Sequence, residues 1–401
     1  MTTAHLPIEP IEPVPQLNLF APAPLPPGVP DLLARLQQTP GISHIAVMPD
    51  VHLAAEFCVG TVIASPSLLF PNAVGGDIGC GMLALRFDAH ADLLADPERA
   101  ARLLAALQTL CPARRHHRKT APPLPDELRS QTLSHPHLTA ALHSEDSRLQ
   151  LGTLGAGNHF LELQSDDAGR LWLMLHTGSR HLGQLVHHHH LAHTHKTTTH
   201  LLALHADSPA GQAYLADVQI ARQYAAANRR ALALTAARAL EQTLHITPLL
   251  DTLLDVDHNH LQPESHPLLS SQTLFIHRKG ATPAHLNQPG LIPGSMATTS
   301  YHTTGKGHAP ALCSSSHGAG RALSRTQARQ KFTPSALRSQ LKAAHVWYDP
   351  RLTRSLLEEA PAAYKNIRDV MHAQSALTTI TRTLKPSSST NPPENLSRRT
   401  P

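Results

Sequence analysis

The stretch GGDIGCGM, residues 75–82, sets an aspartate and a cysteine three residues apart among four glycines. The runs on either side, CVGTVIAS (58–65) and MLALRF (82–87), are rich in β-branched and apolar residues and read as strands. Strands on either side would hold the bare loop between them. The chain has four cysteines among 401 residues, and one of them lies here beside a carboxylate. On its own Cys80 could be a small buried hydrophobe, so what it does depends on what joins it.

Elsewhere the pattern mixes helix with strand. HIAVMPDVH (44–52) reads as a strand ending at Pro49 and Asp50, and residues 93–110 have an aspartate cap, early acids and helical apolar spacing. The alanine- and leucine-rich stretch from Ser208 to about Leu244 reads as one or two helices. Residues 1–30 form a proline-rich leader, with nine prolines between 7 and 30, which favour extended structure. The segment 386–401 has few apolar groups and is expected to be a disordered tail, leaving 31–385 as the working domain. Cys58, Cys80, Cys111 and Cys313 are far apart and form no CxxC pair, so the reading is a reduced, cytoplasmic protein. No apolar run is long enough for a membrane helix, and a monomer is the default. A net charge of +5 suits a polyanionic partner without requiring one.

The 31 histidines are the compositional anomaly, and most carry no weight singly. Three contexts stand out. In GNHFLELQSDDAGRLWLMLHTGSR (157–180), two apolar runs flank a turn, and pairing 164 with 171 places His159 opposite His176 on one face. In SSSHGAGRALSR (314–325), glycines before a basic helical sequence predict free N–H groups at a helix start. A phosphate would fit there, and a neutral His317 would be a nucleophile towards phosphorus. HRKGATPA (277–284) puts His277 at a strand end beside Arg278 and Lys279, a second corner suited to phosphate. Asp77, Cys80, His159, His176 and His277 then form a mixed ligand set for two divalent ions, with the thiolate suited to bridging. RRHHRK (114–119) reads as a solvated loop, and the histidine tract at 187–200 as a surface segment without catalysis.

MPDVH, NAVGGDIGCGM, LGTLGAGNHFLE, HTGSR, HRKGAT, LIPGSM, SSSHGAGRALSR and AYKNIRDVM, taken in this order from about residue 44 to 384, resemble the RtcB family of RNA-splicing ligases. The resemblance implies an α+β RtcB-like fold, with β-sheets forming a dinuclear metal cleft and helices outside. It implies joining of RNA 2′,3′-cyclic-phosphate or 3′-phosphate ends to 5′-hydroxyl ends, in RNA repair or tRNA splicing, with GTP and two manganese ions. His317 matches the guanylylated histidine and Asp50 the aspartate that orients it. Asp77, Cys80, His159, His176 and His277 match the metal ligands, while Asn158, Glu162, Ser295, Gly318, Ala319, Gly320, Arg321 and Tyr364 match guanylate contacts. His258 and Asn259 match a His-Asn pair whose role stays open. The chain departs from the family pattern at Ala54, Glu56, His181 and Ala297, each adding a side chain near the expected site. In place of a terminal Lys-Gly it runs on through TLKPSSSTNPPEN, with Lys385 the nearest lysine, so looser guanine selection is expected. A silent RNA-end-binding protein and a metal-dependent cyclic phosphodiesterase are the alternatives.

Overall fold

The computed structural model describes residues 15–266, 273–349 and 353–390. Two sheets organise them. The larger has seven strands in the order Pro248–Asp257, Gly81–His90, Arg170–Thr177, Phe160–Asp166, Thr378–Thr390, Ser300–Gly305 and Pro289–Ile292, each antiparallel to its neighbours. The smaller has five, in the order Gln16–Leu19, His44–His52, Val59–Ser65, Thr273–Lys279 and Asn259–Ser265, with only the first pair parallel.

Strand alternation decides which side chains reach the site. On the larger sheet, Leu83, Leu85, Leu161, Leu163, Leu173 and Leu175 point to one face and pack on Leu232, Ala236 and Leu240 of the helix Pro209–Leu244 and on Leu103 and Leu107 of the helix Pro97–Leu110. The intervening residues Met82, Phe160, Glu162, His176 and their neighbours fall on the opposite face. Burial of the leucine face against helices therefore turns the polar residues towards the cleft. Asp96 caps the helix Pro97–Leu110 by accepting from the Glu98 and Arg99 N–H groups. The stretch after Ser208 is a single helix, with Ser208 accepting from Gly211 N–H.

Three expectations change here. The hairpin pairs Ser165 with Leu171, so His176 faces Phe160 and not His159. Asp166 causes the shift by accepting from the Ala168 and Arg170 N–H groups, which leaves a three-residue turn at 167–169 with Gly169 at φ 76°. The segment expected to be a disordered tail is instead strand to Thr390, with Pro386 opposite Gln164 and Ser389 opposite Glu162; residues 391–401 lie outside the described part. Part of the leader is ordered as well, since Gln16–Leu19 pairs with His44–Val47 and the helix Val29–Gln37 begins at residue 29; residues 1–14 lie outside the described part.

Candidate active site

Two turns and one strand junction bring the donors together, and the long helix holds them. Arg229 donates through Nη1 to Gly79 O at 2.6 Å and to Thr177 O at 3.2 Å, tying the Asp77-to-Cys80 loop to the end of the strand that carries His176. Asn228, next to it, donates to Gly178 O and accepts from the N–H groups of Gly152 and Thr153, upstream of His159. His258 lies between two strands, its N–H donating to Cys80 O at 2.8 Å. Gly178 is required for contact: a Cβ there would sit 2.1 Å from Asp77 Oδ1.

The result is two triads that share one sulfur. Asp77, Cys80 and His159 form one, and Cys80, His176 and His258 the other, each with its donor atoms within 4.8 Å of one another. Cys80 Sγ lies 3.4 Å from His159 Nε2 and 3.0 Å from His176 Nε2, while His176 Nε2 is 3.2 Å from His258 Nε2. His159 Nδ1 donates to Leu154 O and His176 Nδ1 to Asn158 O, which turns Nε2 of each ring towards the centre, that of His159 lying 3.0 Å from Asp77 Oδ2.

His277 does not join them. Its Nε2 accepts the Phe70 N–H at 3.0 Å, and its ring packs edge-on against Phe70, fully buried inside the smaller sheet. His258, left without a role by the sequence, stands where the fifth ligand was expected. Arg278 is likewise no phosphate contact: it is fully buried, paired with Glu264 and donating to Ser314 Oγ and Leu312 O.

The donor chemistry fits divalent ions. Burial, and then the Asp77 carboxylate, push the Cys80 thiol well above its ordinary pKa. Burial opposes the Asp77 charge most, but His159, Cys80 and Arg180 together hold the carboxyl below the usual range. His176 and His258 are pushed well down by burial and by neighbouring imidazoles, and so are neutral ligands. A divalent ion would favour the thiolate of a thiol buried beside a carboxylate and imidazoles, so this donor set fits one.

His317 stands next to this centre, with its ring centroid 4.8 Å from that of His258. Its N–H donates to Asp50 Oδ2 at 3.1 Å, and its Nδ1 lies 2.7 Å from the same oxygen, off the line of the ring N–H bond. Asp50 is fully buried; burial opposes its charge, yet His317 first, then His52 and Lys365, hold its carboxyl below the usual range. Lys365 Nζ also donates to Pro49 O and Val51 O, fixing the strand on both sides of Asp50. Gly320, at φ 70°, lets its loop lie against Asp50, since a Cβ there would be 2.2 Å from Asp50 O. The basic helix starts later than expected, at Arg325, where Ser324 and Gln327 form a capping box. The start of that helix therefore does not adjoin His317, and the loop 317–321 offers its own backbone there.

These groups open into one cleft of about 330 Å³ with walls from both sheets. Asn158, Glu162, Ser295, Gly318, Ala319, Gly320, Arg321 and Tyr364 all line it, together with Asp77, Cys80, His176, His258 and His317. Asp50 and His159 lie behind the lining. Burial pushes the Glu162 carboxyl up to about 8, against a hydrogen bond from Gln164 Nε2 at 2.6 Å. Arg321 donates to Glu359 at 3.1 Å and lies over the Tyr364 ring at 5.2 Å. Ala54, Glu56, His181 and Ala297 are absent from the cleft wall, so these departures leave it clear. Sequence reading missed His52 and Lys365; of the corner read as suited to phosphate, Lys279 lines the cleft. Lys365 had a signal in AYKNIRDVM, a cation next to Tyr364.

A family model described as tRNA-splicing ligase RtcB matches residues 32–390. The chain is similar to the RNA-splicing ligase RtcB of Escherichia coli (strain K12), at 35% identity over 373 residues, covering 85% of this chain and 88% of that protein. It is also similar to the RNA-splicing ligase RtcB of Mycobacterium tuberculosis (strain ATCC 25618 / H37Rv), at 33% identity over 408 residues, covering 83% and 93%. With a match that runs almost to the end of the C-terminal strand and encloses every residue of the cleft, the chain belongs to the RtcB family.

Proposed function

We propose that this protein is an RNA ligase that joins a 2′,3′-cyclic-phosphate or 3′-phosphate end to a 5′-hydroxyl end, with GTP and two manganese ions. One observation carries the reading: two donor triads sharing Cys80 open into the same cleft as a histidine backed by a buried carboxylate. Asp77, Cys80 and His159 would hold one ion, and Cys80, His176 and His258 the other. When bound, the ions supply charge neutralisation for the triphosphate and a Lewis acid for the phosphoryl oxygens.

The residues of the chain account for the rest. Asp50 engages the Nδ1 side of His317, which leaves Nε2 as the attacking nitrogen. His317 forms a P–N bond with the α-phosphorus of GTP as the bond to pyrophosphate breaks. It then gives the guanylate to the RNA 3′-phosphate oxygen, and the incoming 5′-hydroxyl oxygen displaces GMP from that phosphorus. The backbone of 318–320 and the Arg321 side chain line the cleft where phosphate charge would lie, and Glu162, with Gln164 behind it, is the acceptor placed for the base. Four buried free cysteines suit a reducing cytoplasm, and among the described residues no helix is long and apolar enough to cross a membrane. No observation favours the silent or phosphodiesterase alternatives.

The test is covalent labelling. Incubation with α-labelled GTP and manganese should give an acid-labile, alkali-stable protein adduct that His317→Ala abolishes. Labelling that survives this substitution overturns the proposal, as does opening of a cyclic phosphate without joining.

A further inference from the structure

A second group of histidines, outside the cleft, is unused by the ligase reading. His135 and His137 flank the start of the helix Pro136–Leu142, and His189 lies in the last turn of the helix Arg180–Leu191, with His193 just beyond. The ring centroids of His135, His137 and His189 form a nearly equilateral triangle of 4.5, 5.1 and 5.0 Å, and His193 lies 4.8 Å from His189. On a tetrahedral ion with nitrogens at about 2.0–2.1 Å, imidazole centroids lie about 5 Å apart. The rings already have that spacing.

The segments that carry them are tied to one buried group. Asp217 of the helix Pro209–Leu244, fully buried, accepts from Ser134 N–H at 2.8 Å, from Ser134 Oγ at 2.6 Å and from His190 Nε2 at 2.7 Å. It thereby anchors the residue before His135 and the residue after His189. His193 Nδ1 donates to His189 O at 3.0 Å, leaving Nε2 with its lone pair. The Nδ1 atoms of His135 and His137 are 2.6 Å apart, close enough for one to donate its proton to the other, and His135 Nδ1 also accepts the His137 N–H at 3.3 Å, a cap that an ion would replace. Two ligand nitrogens on one tetrahedral ion sit about 3.3 Å apart, so an ion in the place of that proton would spread them only slightly. The ring that gives up that proton carries it on its other nitrogen, so charge and protons balance.

We propose that His135, His137 and His189, with His193 as a fourth donor, form a surface site for a late first-row divalent ion of the zinc and nickel class. Among the described residues, the three donor atoms are not all within 4.8 Å of one another in the present rotamers, so rotation of the exposed His135 and His137 rings closes the site. Neutral imidazoles without a carboxylate favour these ions over manganese, which separates this site from the cleft.

Retention of the untagged full-length chain on immobilised nickel reads only surface histidines, because the cleft donors are buried. The double variant H137A/H189A should elute at a clearly lower imidazole concentration than the parent, whereas H195A/H205A, which removes another close pair with centroids 4.7 Å apart, should elute with the parent. Equilibrium dialysis against zinc should show a loss of one ion per chain in H137A/H189A alone. Equal melting of all three proteins in EDTA shows that the fold is intact. Unchanged retention and zinc content in H137A/H189A, or an equal loss in both variants, overturns the proposal.

Discussion

Exchanging the fates of two histidines tests the site assignment most directly. His277→Ala removes the acceptor of a buried Phe70 N–H, which costs about 1–3 kcal/mol for the unsatisfied donor. It also removes a fully buried ring packed on Phe70, adding about 1–3 kcal/mol for the cavity. The sum is a large share of the roughly 5–15 kcal/mol that holds a domain folded. His258→Ala should behave in the opposite way. Its Nδ1 has no partner, the N–H that bonds Cys80 O belongs to the backbone, and its ring borders the open cleft, so metal-free stability should fall by clearly less than for His277→Ala. Manganese affinity should fall by more than the roughly 10–100-fold that a lost outer partner costs. Urea unfolding in EDTA measures the first quantity, and the free Mn²⁺ signal in electron paramagnetic resonance the second. A His277→Ala protein of parental stability that no longer binds manganese would refute the reasoning, as would a His258→Ala protein that binds it normally.

Cys80→Ser should weaken manganese binding far more than Cys58→Ser or Cys313→Ser, because only the Cys80 sulfur belongs to both triads; metal content per chain decides. Asp50→Asn should slow guanylate labelling of His317 while leaving manganese binding intact, as single-turnover labelling beside a metal assay would show. Glu162 stays protonated in the folded protein up to about pH 8, but when unfolded it loses its proton near 4.5. Stability should therefore decline as pH rises between these values, by at most about 1.4 kcal/mol per pH unit, and Glu162→Gln should flatten that slope in urea titrations. Truncation after Lys385 removes the strand residues beside Leu161–Gln164 and should lower both stability and the preference for GTP over ATP in RNA joining. Truncation after Thr390, where the family match ends, should change neither.

Local signals made much of this legible. The glycine-bracketed Asp77-x-x-Cys80, the strands around it, the Asp96 cap and the loop at His317 all depend on neighbours within a few residues. The rest depends on partners far away in sequence. His277 and His258 both read as strand-end histidines near small or polar residues, and what separates them is that the His258 backbone bonds Cys80 while His277 lies inside its strand with its ring against Phe70. The hairpin register hinged on Asp166 choosing a three-residue turn, and a one-residue slip reverses every side chain in a strand. His159 still met His176, with centroids 5.0 Å apart, because it precedes the strand and is free of that alternation. The serines after Lys385 have little strand preference of their own; the unpaired edge of Phe160–Asp166 supplies it.

The position of that last strand bears on how the enzyme is made. It lies inside the larger sheet, between Phe160–Asp166 and Ser300–Gly305, so strand 160–166 waits for a neighbour synthesised roughly two hundred residues later. A chain made only as far as residue 377 holds every proposed metal donor and His317, yet the wall that carries Glu162 is open along one edge. Synthesis of residues 378–390 is thus the event that completes the cleft, and a product broken off before them would carry His317 without a closed site around it.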